Sequence, residues 1–169
     1  MQKQLTAIAA ILLLSAASQA KADTNVIELL DDANTEGNVI ELNITGNGNS
    51  LNLSQSFAFG GYGQNLMDIT IDGNNNGGPA GANFTGVALA SGLRPGNLVQ
   101  EGFNNSMIVD VSGTSNLFSF LQNGSQNTLQ ASIEGTGNQA AVQQYGQNNH
   151  VSFSQMGSNN SISISQRSF

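Results

Sequence analysis

The sequence predicts an all-β protein, a β-solenoid of five 22-residue strand–turn–strand repeats that follows a cleaved signal peptide. Three observations predict this fold: Asn recurs every 11 residues over much of the chain, Gly stands three residues before most of these Asn, and apolar and polar residues alternate after them. Alternation over six or seven residues is typical of a strand with one buried face. A fixed repeat of this order of length is typical of stacked repeat proteins.

The chain begins with the order of segments found in a secretory signal peptide. A basic start with Lys3 leads into a run of Leu, Ile and Ala over 5–17, and small residues follow. The run is too short to cross the roughly 30 Å hydrocarbon core of a bilayer, which argues against a membrane anchor. We expect cleavage after Ala20 or Ala22, with Ala22 preferred, and an exported chain without a transmembrane segment. The signal peptide is therefore assigned to 1–22.

An acidic segment, 23–37, separates the signal peptide from the repeat domain, which is predicted to span 38–169. The repeats lie near 38–55, 65–82, 100–122, 122–144 and 144–166. The second is degenerate, because its latter half has the Gly and Asn content of a loop, although Val87, Leu89 and Leu93 could supply a weak strand. An insert at 77–98 separates it from the third repeat.

Composition excludes several classes of function. The chain has no Cys for disulfides or thiolate metal sites, and one His leaves little for acid–base or metal chemistry. Four basic residues stand against eleven acidic ones, so we expect no binding of nucleic acid. Nearly half of the residues are Asn, Gly, Ser or Gln. We therefore expect neither an enzyme nor a cofactor.

Stacked repeats would place equivalent amides one above another. Neighbouring rungs of such a stack lie about 4.8 Å apart. A buried amide is costly unless it is hydrogen-bonded, and a ladder pairs each amide with the copies above and below it. The predicted stacking-ladder residues are Gln55, Gln100, Asn105, Asn116, Gln122, Asn127, Asn138, Gln144, Asn149, Gln155, Asn160 and Gln166.

Gly-x-x-Asn turns are predicted to join the strands. Gly adopts the positive φ that a tight turn requires, and Asn tolerates it better than most residues. The predicted turn glycines are Gly46, Gly102, Gly113, Gly124, Gly135, Gly146 and Gly157.

Four acidic residues fall at outward or turn positions of the predicted strands. Like charges that repeat from rung to rung repel one another and would slow premature stacking. A plain solvated face is the other interpretation of the same residues. These candidate gatekeepers are Asp68, Asp72, Asp110 and Glu134.

The predicted stack has two open ends, each with a row of unpaired backbone groups. Proteins usually blunt such edges with charge, Pro or a covering segment. The last repeat has no Pro and no acidic residue over 151–167, and its one charge is Arg167. This end would accept another copy of the chain, which favours a cross-β fibre subunit. The alternative is a soluble secreted β-solenoid that binds a ligand or a surface, but the mixed outward residues form no regular array.

The last two half-repeats resemble the curlin repeat, whose 22-residue units carry Gln, Gly, Asn, a small or apolar residue and Gln at fixed offsets. The resemblance is close over 100–166, looser over 38–76 and absent over 77–98. Val111 and Ile133 depart from it, since the family often has Gln there. The matching positions are Gln144, Gly146, Asn149, Val151 and Gln155, followed by Gln155, Gly157, Asn160, Ile162 and Gln166.

The resemblance implies a curli-like amyloid fibre that serves as extracellular biofilm matrix and adhesin of a Gram-negative bacterium. It implies a major or a nucleating minor subunit, with other curlin subunits, a curli-type outer-membrane secretion channel and chaperones as partners. The segment 23–37 occupies the place of the family's secretion-targeting segment, but it is acidic where that segment is expected to be rich in Gly and Asn.

Overall fold

The computed structural model describes residues 12–13, 25–31, 38–56 and 63–168, which form two parallel six-stranded sheets and one short helix. Sheet A contains, in spatial order, β1 (Leu12–Leu13), β3 (Val39–Thr45), β5 (Leu66–Asn74), β7 (Ser106–Thr114), β9 (Thr128–Thr136) and β11 (His150–Ser158). Sheet B contains, in spatial order, β2 (Val26–Asp31), β4 (Ser50–Ser56), β6 (Asn97–Phe103), β8 (Leu117–Ser125), β10 (Gln139–Gln147) and β12 (Ser161–Arg167).

Consecutive strands along the chain alternate between the two sheets, which is the winding of a β-solenoid. The predicted all-β solenoid fold is confirmed. Within the described residues, five complete rungs contain one strand from each sheet, from β3 and β4 to β11 and β12. Across the last three rungs the register keeps the predicted repeat length, so that Val109, Ala131 and Phe153 lie side by side.

One apolar core fills the space between the sheets. Alternate residues of each strand point inward, because the side-chain period of a strand is two residues. Phe118 and Phe120 are fully buried and stack with ring centroids 5.9 Å apart, and Phe153 meets Phe120 edge-on at 6.1 Å. Burying a side chain of this size stabilises the fold by about 1.5–3 kcal/mol. The inward residues therefore fix the register.

The second rung differs from the prediction. No strand forms over 77–82, where the degenerate half-repeat was placed. Gly77 makes an isolated parallel bridge with Ser50 and Leu117, and the chain then leaves sheet B and returns as β6. Pro79 has no N–H for a ladder hydrogen bond, and the inward residues expected there are only Gly and Ala. Leu98 of β6 is fully buried in their place.

The chain between Gly77 and β6 folds over the outer face of sheet B. Its helix, α1 (Gly86–Leu89), contacts β10 and β12. Phe84 and Ala88 are buried against Ala141 in a second small apolar cluster. The proposed weak strand is therefore wrong: Val87 and Leu89 lie in α1 and are exposed. No helix of the described ranges is long and apolar enough to cross a membrane.

The acidic N-terminal segment contributes a strand that the repeat pattern does not predict. β2 pairs in parallel with β4, with Ile27 beside Leu51 and Asp31 beside Gln55. On the other sheet, β1 pairs with β3. β1 lies inside the predicted signal peptide, and both predicted cleavage sites fall outside the described residues.

Candidate functional site

Two Asn ladders run along the solenoid, one at each side where the chain crosses between sheets. Asn127 shows their geometry: its backbone N–H and its Nδ2 donate to Oδ1 of Asn105 at 3.1 and 3.0 Å. Nδ2 also donates to the carbonyl of Gly146 at 3.0 Å. Each rung is thereby tied to the rungs on both sides. One ladder contains Asn38, Asn65, Asn105, Asn127 and Asn149, and the other Asn25, Asn49, Asn76, Asn116, Asn138 and Asn160.

The turn glycines allow successive turns to approach closely. All seven predicted turn glycines have a positive φ, between +98° and +127°. A Cβ atom added to Gly113 would lie 2.0 Å from the carbonyl oxygen of Gly135 on the next rung. The same carbonyl accepts a hydrogen bond from Nδ2 of Asn116 at 3.0 Å. Gly is thus required both by the backbone conformation and by the spacing of the rungs.

A second left-handed residue completes most turns and was not predicted. The residue directly before the ladder Asn has a φ near +55 to +59° at six turns, including Ser115 and Gln126. Gly48 and Gly137 occupy the same position in two other turns, with φ of +68° and +69°. The available signal was the Asn and Gly content of this position, since these residues tolerate positive φ best.

A Gln ladder runs inside sheet B only. Each Nε2 donates to Oε1 of the Gln on the following rung, from Gln55 through Gln100, Gln122 and Gln144 to Gln166, at 2.7, 2.8, 2.9 and 3.1 Å. Each Nε2 also donates to a carbonyl of sheet A in the same rung, as from Gln122 to Ser106 at 3.0 Å. The ladder therefore ties rung to rung and sheet to sheet.

Gln155 does not join this ladder, although it was predicted to. It lies in sheet A, where the residue beside it on the preceding rung is Ile133. Ile133 offers no hydrogen bond, and the buried Oε1 of Gln155 has no partner within the described part of the chain. Its Nε2 donates to the carbonyl of Gln139 at 3.3 Å. Whether a buried Gln joins a ladder therefore depends on the residue beside it on the neighbouring rung, and not on its own residue type alone.

The four candidate gatekeepers lie on the outer face of sheet A. Asp68 stands opposite Glu41, and Asp72 and Glu134 flank Ser112 in one column. Asp110 shares a shallow depression with Asp72 and Glu134. This face therefore carries acidic residues from β3 to β9, whereas β11 has none. Among the described residues, no group of three or more His, Cys, Asp or Glu is arranged to hold a metal ion.

The last rung leaves both sheets with an open edge. Ile162 and Ile164 of β12 pack on the core but stay partly exposed. Gln166 Nε2 donates to the carbonyl of His150 at 3.1 Å, and Arg167 lies over the ring of Tyr145 at 5.5 Å. No strand of the described residues covers β11 or β12. The end therefore presents the same apolar and amide columns that join the inner rungs.

Comparison with known proteins agrees with the repeat geometry. Residues 135–167, which contain β10 to β12, match the family described as the curlin associated repeat. This match supports membership of the curlin family and confirms the resemblance predicted from the sequence. No curated protein and no solved structure gives a significant match to the chain.

Proposed function

We propose that this chain, which carries the curlin associated repeat, is a secreted structural subunit that self-assembles into extracellular curli-like amyloid fibres. One observation supports this above all: the Asn and Gln ladders reach the last rung, where no strand of the described ranges covers β11 or β12. An exposed strand edge is a template for pairing with another chain. The curlin repeat marks a structural family rather than an enzyme family, and the proposal assigns no catalysis.

Growth would proceed by templated addition of one rung to another. Within the chain, each Asn donates to Oδ1 of the Asn on the preceding rung, as Asn149 does to Asn127 at 2.9 Å. The last rung therefore offers Oδ1 of Asn149 and Asn160 as acceptors. An incoming first rung supplies the matching donors and buries apolar columns against Ile162 and Ile164. The ladder residues and turn glycines named above are the proposed assembly site.

The proposed setting of this activity rests on the similarity to the curlin associated repeat. We propose export by the N-terminal signal peptide, passage through a curli-type outer-membrane channel with its chaperones, and deposition on the surface of a Gram-negative bacterium. Other curlin subunits are the proposed partners in the fibre. The fibre would serve as biofilm matrix and in adhesion.

Seeded assembly tests the proposal. Residues 23–169, diluted from denaturant, are expected to show a lag in thioflavin T fluorescence that preformed seeds abolish. The product should give a reflection near about 4.8 Å, because strands stack at this spacing in cross-β fibres. A soluble β-rich monomer that never gains fluorescence, with or without seeds, would contradict the proposal and favour the ligand-binding solenoid.

The gatekeeper hypothesis predicts how assembly depends on salt. A variant with Asp68→Asn, Asp72→Asn, Asp110→Asn and Glu134→Gln should have a shorter lag than the wild type at low ionic strength. The reason is that a like-charge pair on adjacent strands, such as Asp68 and Glu41, costs roughly 0.2–1 kcal/mol, and the other three charges add repulsion at longer range. Salt screens exposed charges, so about 0.5 M NaCl should speed the wild type more than the variant. Equal salt dependence of the two would leave these residues as a plain solvated face.

A further inference from the structure

The first rung contains a buried acceptor without a donor. Gln55 is 1% exposed, and its Oε1 has no hydrogen-bond partner among the described residues. Its Nε2 is used normally, donating to Gln100 and to the carbonyl of Val39. On every later rung of this ladder, Oε1 accepts from the Gln of the preceding rung. The unpaired oxygen of Gln55 therefore marks the place of a missing preceding Gln.

β2 occupies that place with an Asp, rather than a Gln, in register. Its Asn25 imitates a ladder residue: Oδ1 accepts from the backbone N–H of Asn49 at 2.9 Å and from its Nδ2 at 3.2 Å. Ile27 packs on the apolar core as an inward residue of a rung does. The residue in register with Gln55 is Asp31. An ionised carboxylate only accepts hydrogen bonds. β2 therefore has a ladder residue at the Asn position but not a residue type that can donate at the Gln position.

The other end of the chain carries the matching donor. Gln166 is the last member of the Gln ladder, and each earlier member donates to the next Gln through Nε2. Among the described residues, no further Gln follows Gln166 in this ladder. If β12 of one copy lay beside β4 of the next in the regular register, Asn160 would meet Asn49 and Gln166 would meet Gln55. Ile162 and Ile164 would then meet Leu51 and Leu53.

We propose that β2 is a displaceable cap on β4, and that the last rung of a preceding copy replaces it when the fibre grows. This inference rests on the proposed function. In the joint, Gln166 Nε2 donates to Gln55 Oε1, as between neighbouring rungs of one chain. β11 pairs with β3 at the same time, because removal of the predicted signal peptide takes β1 from that edge. The incoming rung thus pairs both sheets, whereas β2 covers sheet B alone.

The other arrangement keeps β2 in place as a bridge between copies. Gln166 would then lie in register with Asp31 rather than with Gln55, and Gln55 Oε1 would stay unpaired in every copy of the fibre. After loss of the signal peptide, sheet A would begin at β3 while sheet B would still begin at β2, one strand further out. Sheet A would therefore lack one strand at every joint. Displacement removes both defects, which is why we favour it.

Two charge-matched variants of residues 23–169 test the cap. Asp31→Gln supplies an amide donor for Gln55 and should hold β2 in place, slowing seeded elongation roughly three- to tenfold, the worth of one net hydrogen bond. Glu28→Gln removes the same charge from an exposed position of the same strand, and should elongate at the wild-type rate or slightly faster. Faster growth of Asp31→Gln than of Glu28→Gln would instead indicate a bridge, and equal rates would also overturn the cap.

Hydrogen exchange in wild-type fibres gives an independent readout. The N–H of Val26, in β2, donates to the carbonyl of Asn49, and alternate amides of a strand point to the same neighbour. If β2 is displaced, the amides of Glu28 and Leu30 should therefore exchange quickly while those of Leu51 and Leu53 stay protected. Protection of both strands would overturn the cap. If the wild type forms fibres but the two variants elongate at equal rates, the cap is wrong and the proposed function stands. A wild type that forms no fibres rejects the proposed function, and the cap falls with it.

Discussion

Replacing Gly113 with Ala is expected to prevent fibre formation. The new Cβ would lie 2.0 Å from the carbonyl oxygen of Gly135 and 2.9 Å from its carbonyl carbon, which forces the two rungs apart. The backbone is also at a φ of +115°, which side chains rarely adopt. Strained backbone costs about 1–3 kcal/mol, and overpacking adds about 1–3 kcal/mol. Thioflavin T fluorescence and sedimentation of the product measure the effect.

Gly81→Ala is the matched control for Gly113→Ala. Gly81 also has a positive φ, +82°, but an added Cβ would meet no atom within 4 Å. This variant carries the conformational strain without the collision between rungs, and lies in the loop outside the sheets. It should still form fibres. Assembly of Gly113→Ala at the rate of Gly81→Ala would show that close rung spacing at the turns is not required.

Asn127→Ala is expected to cause the second large loss of stability. Asn127 is 0% exposed, and Ala removes its donors to Asn105 and Gly146. The backbone N–H of Asn149 loses its acceptor, which lay 3.1 Å away. Each buried partner left unpaired costs about 1–3 kcal/mol, so the fibre should dissolve at clearly lower denaturant concentration than the wild type.

The control for Asn127→Ala is Asn123→Ala, four residues earlier. The Asn123 amide points outward and donates to the exposed carboxylate of Glu101. An exposed hydrogen bond of this kind contributes little, because water replaces it. Denaturant midpoints of the two variants should therefore differ widely. Equal midpoints would contradict the claim that the buried ladder, rather than Asn content in general, holds the rungs together.

Much of the fold could be predicted because one periodic rule governs most of the chain. A slip of one residue would turn Val109 and Val111 outward, so the alternation fixes the register as firmly as it fixes the strands. The spacing of Gly113 and Asn116 then locates the turn. These local signals agree with the stacked structure over 100–166, and there the sequence was easiest to interpret.

The rest escaped prediction where the period breaks. β2 was missed because the spacing from Asn25 to Asn49 is longer than the repeat, and no Gly stands three residues before Asn25. The second rung was misplaced because its strand is split, with Gly77 separated from Leu98 by the insert. Packing of that insert on Ala141 leaves no periodic signal. The isolation of Gln155 depends on Ile133, its neighbour on the preceding rung.

The mass per length of the fibre tests the central claim most directly. Five rungs at about 4.8 Å each predict one chain for about every 24 Å of fibre axis, if each copy stacks as a folded solenoid. Scanning transmission electron microscopy of fibres grown from residues 23–169 can measure this value. One chain for about every 4.8 Å would mean that extended chains stack singly, and would contradict the solenoid account.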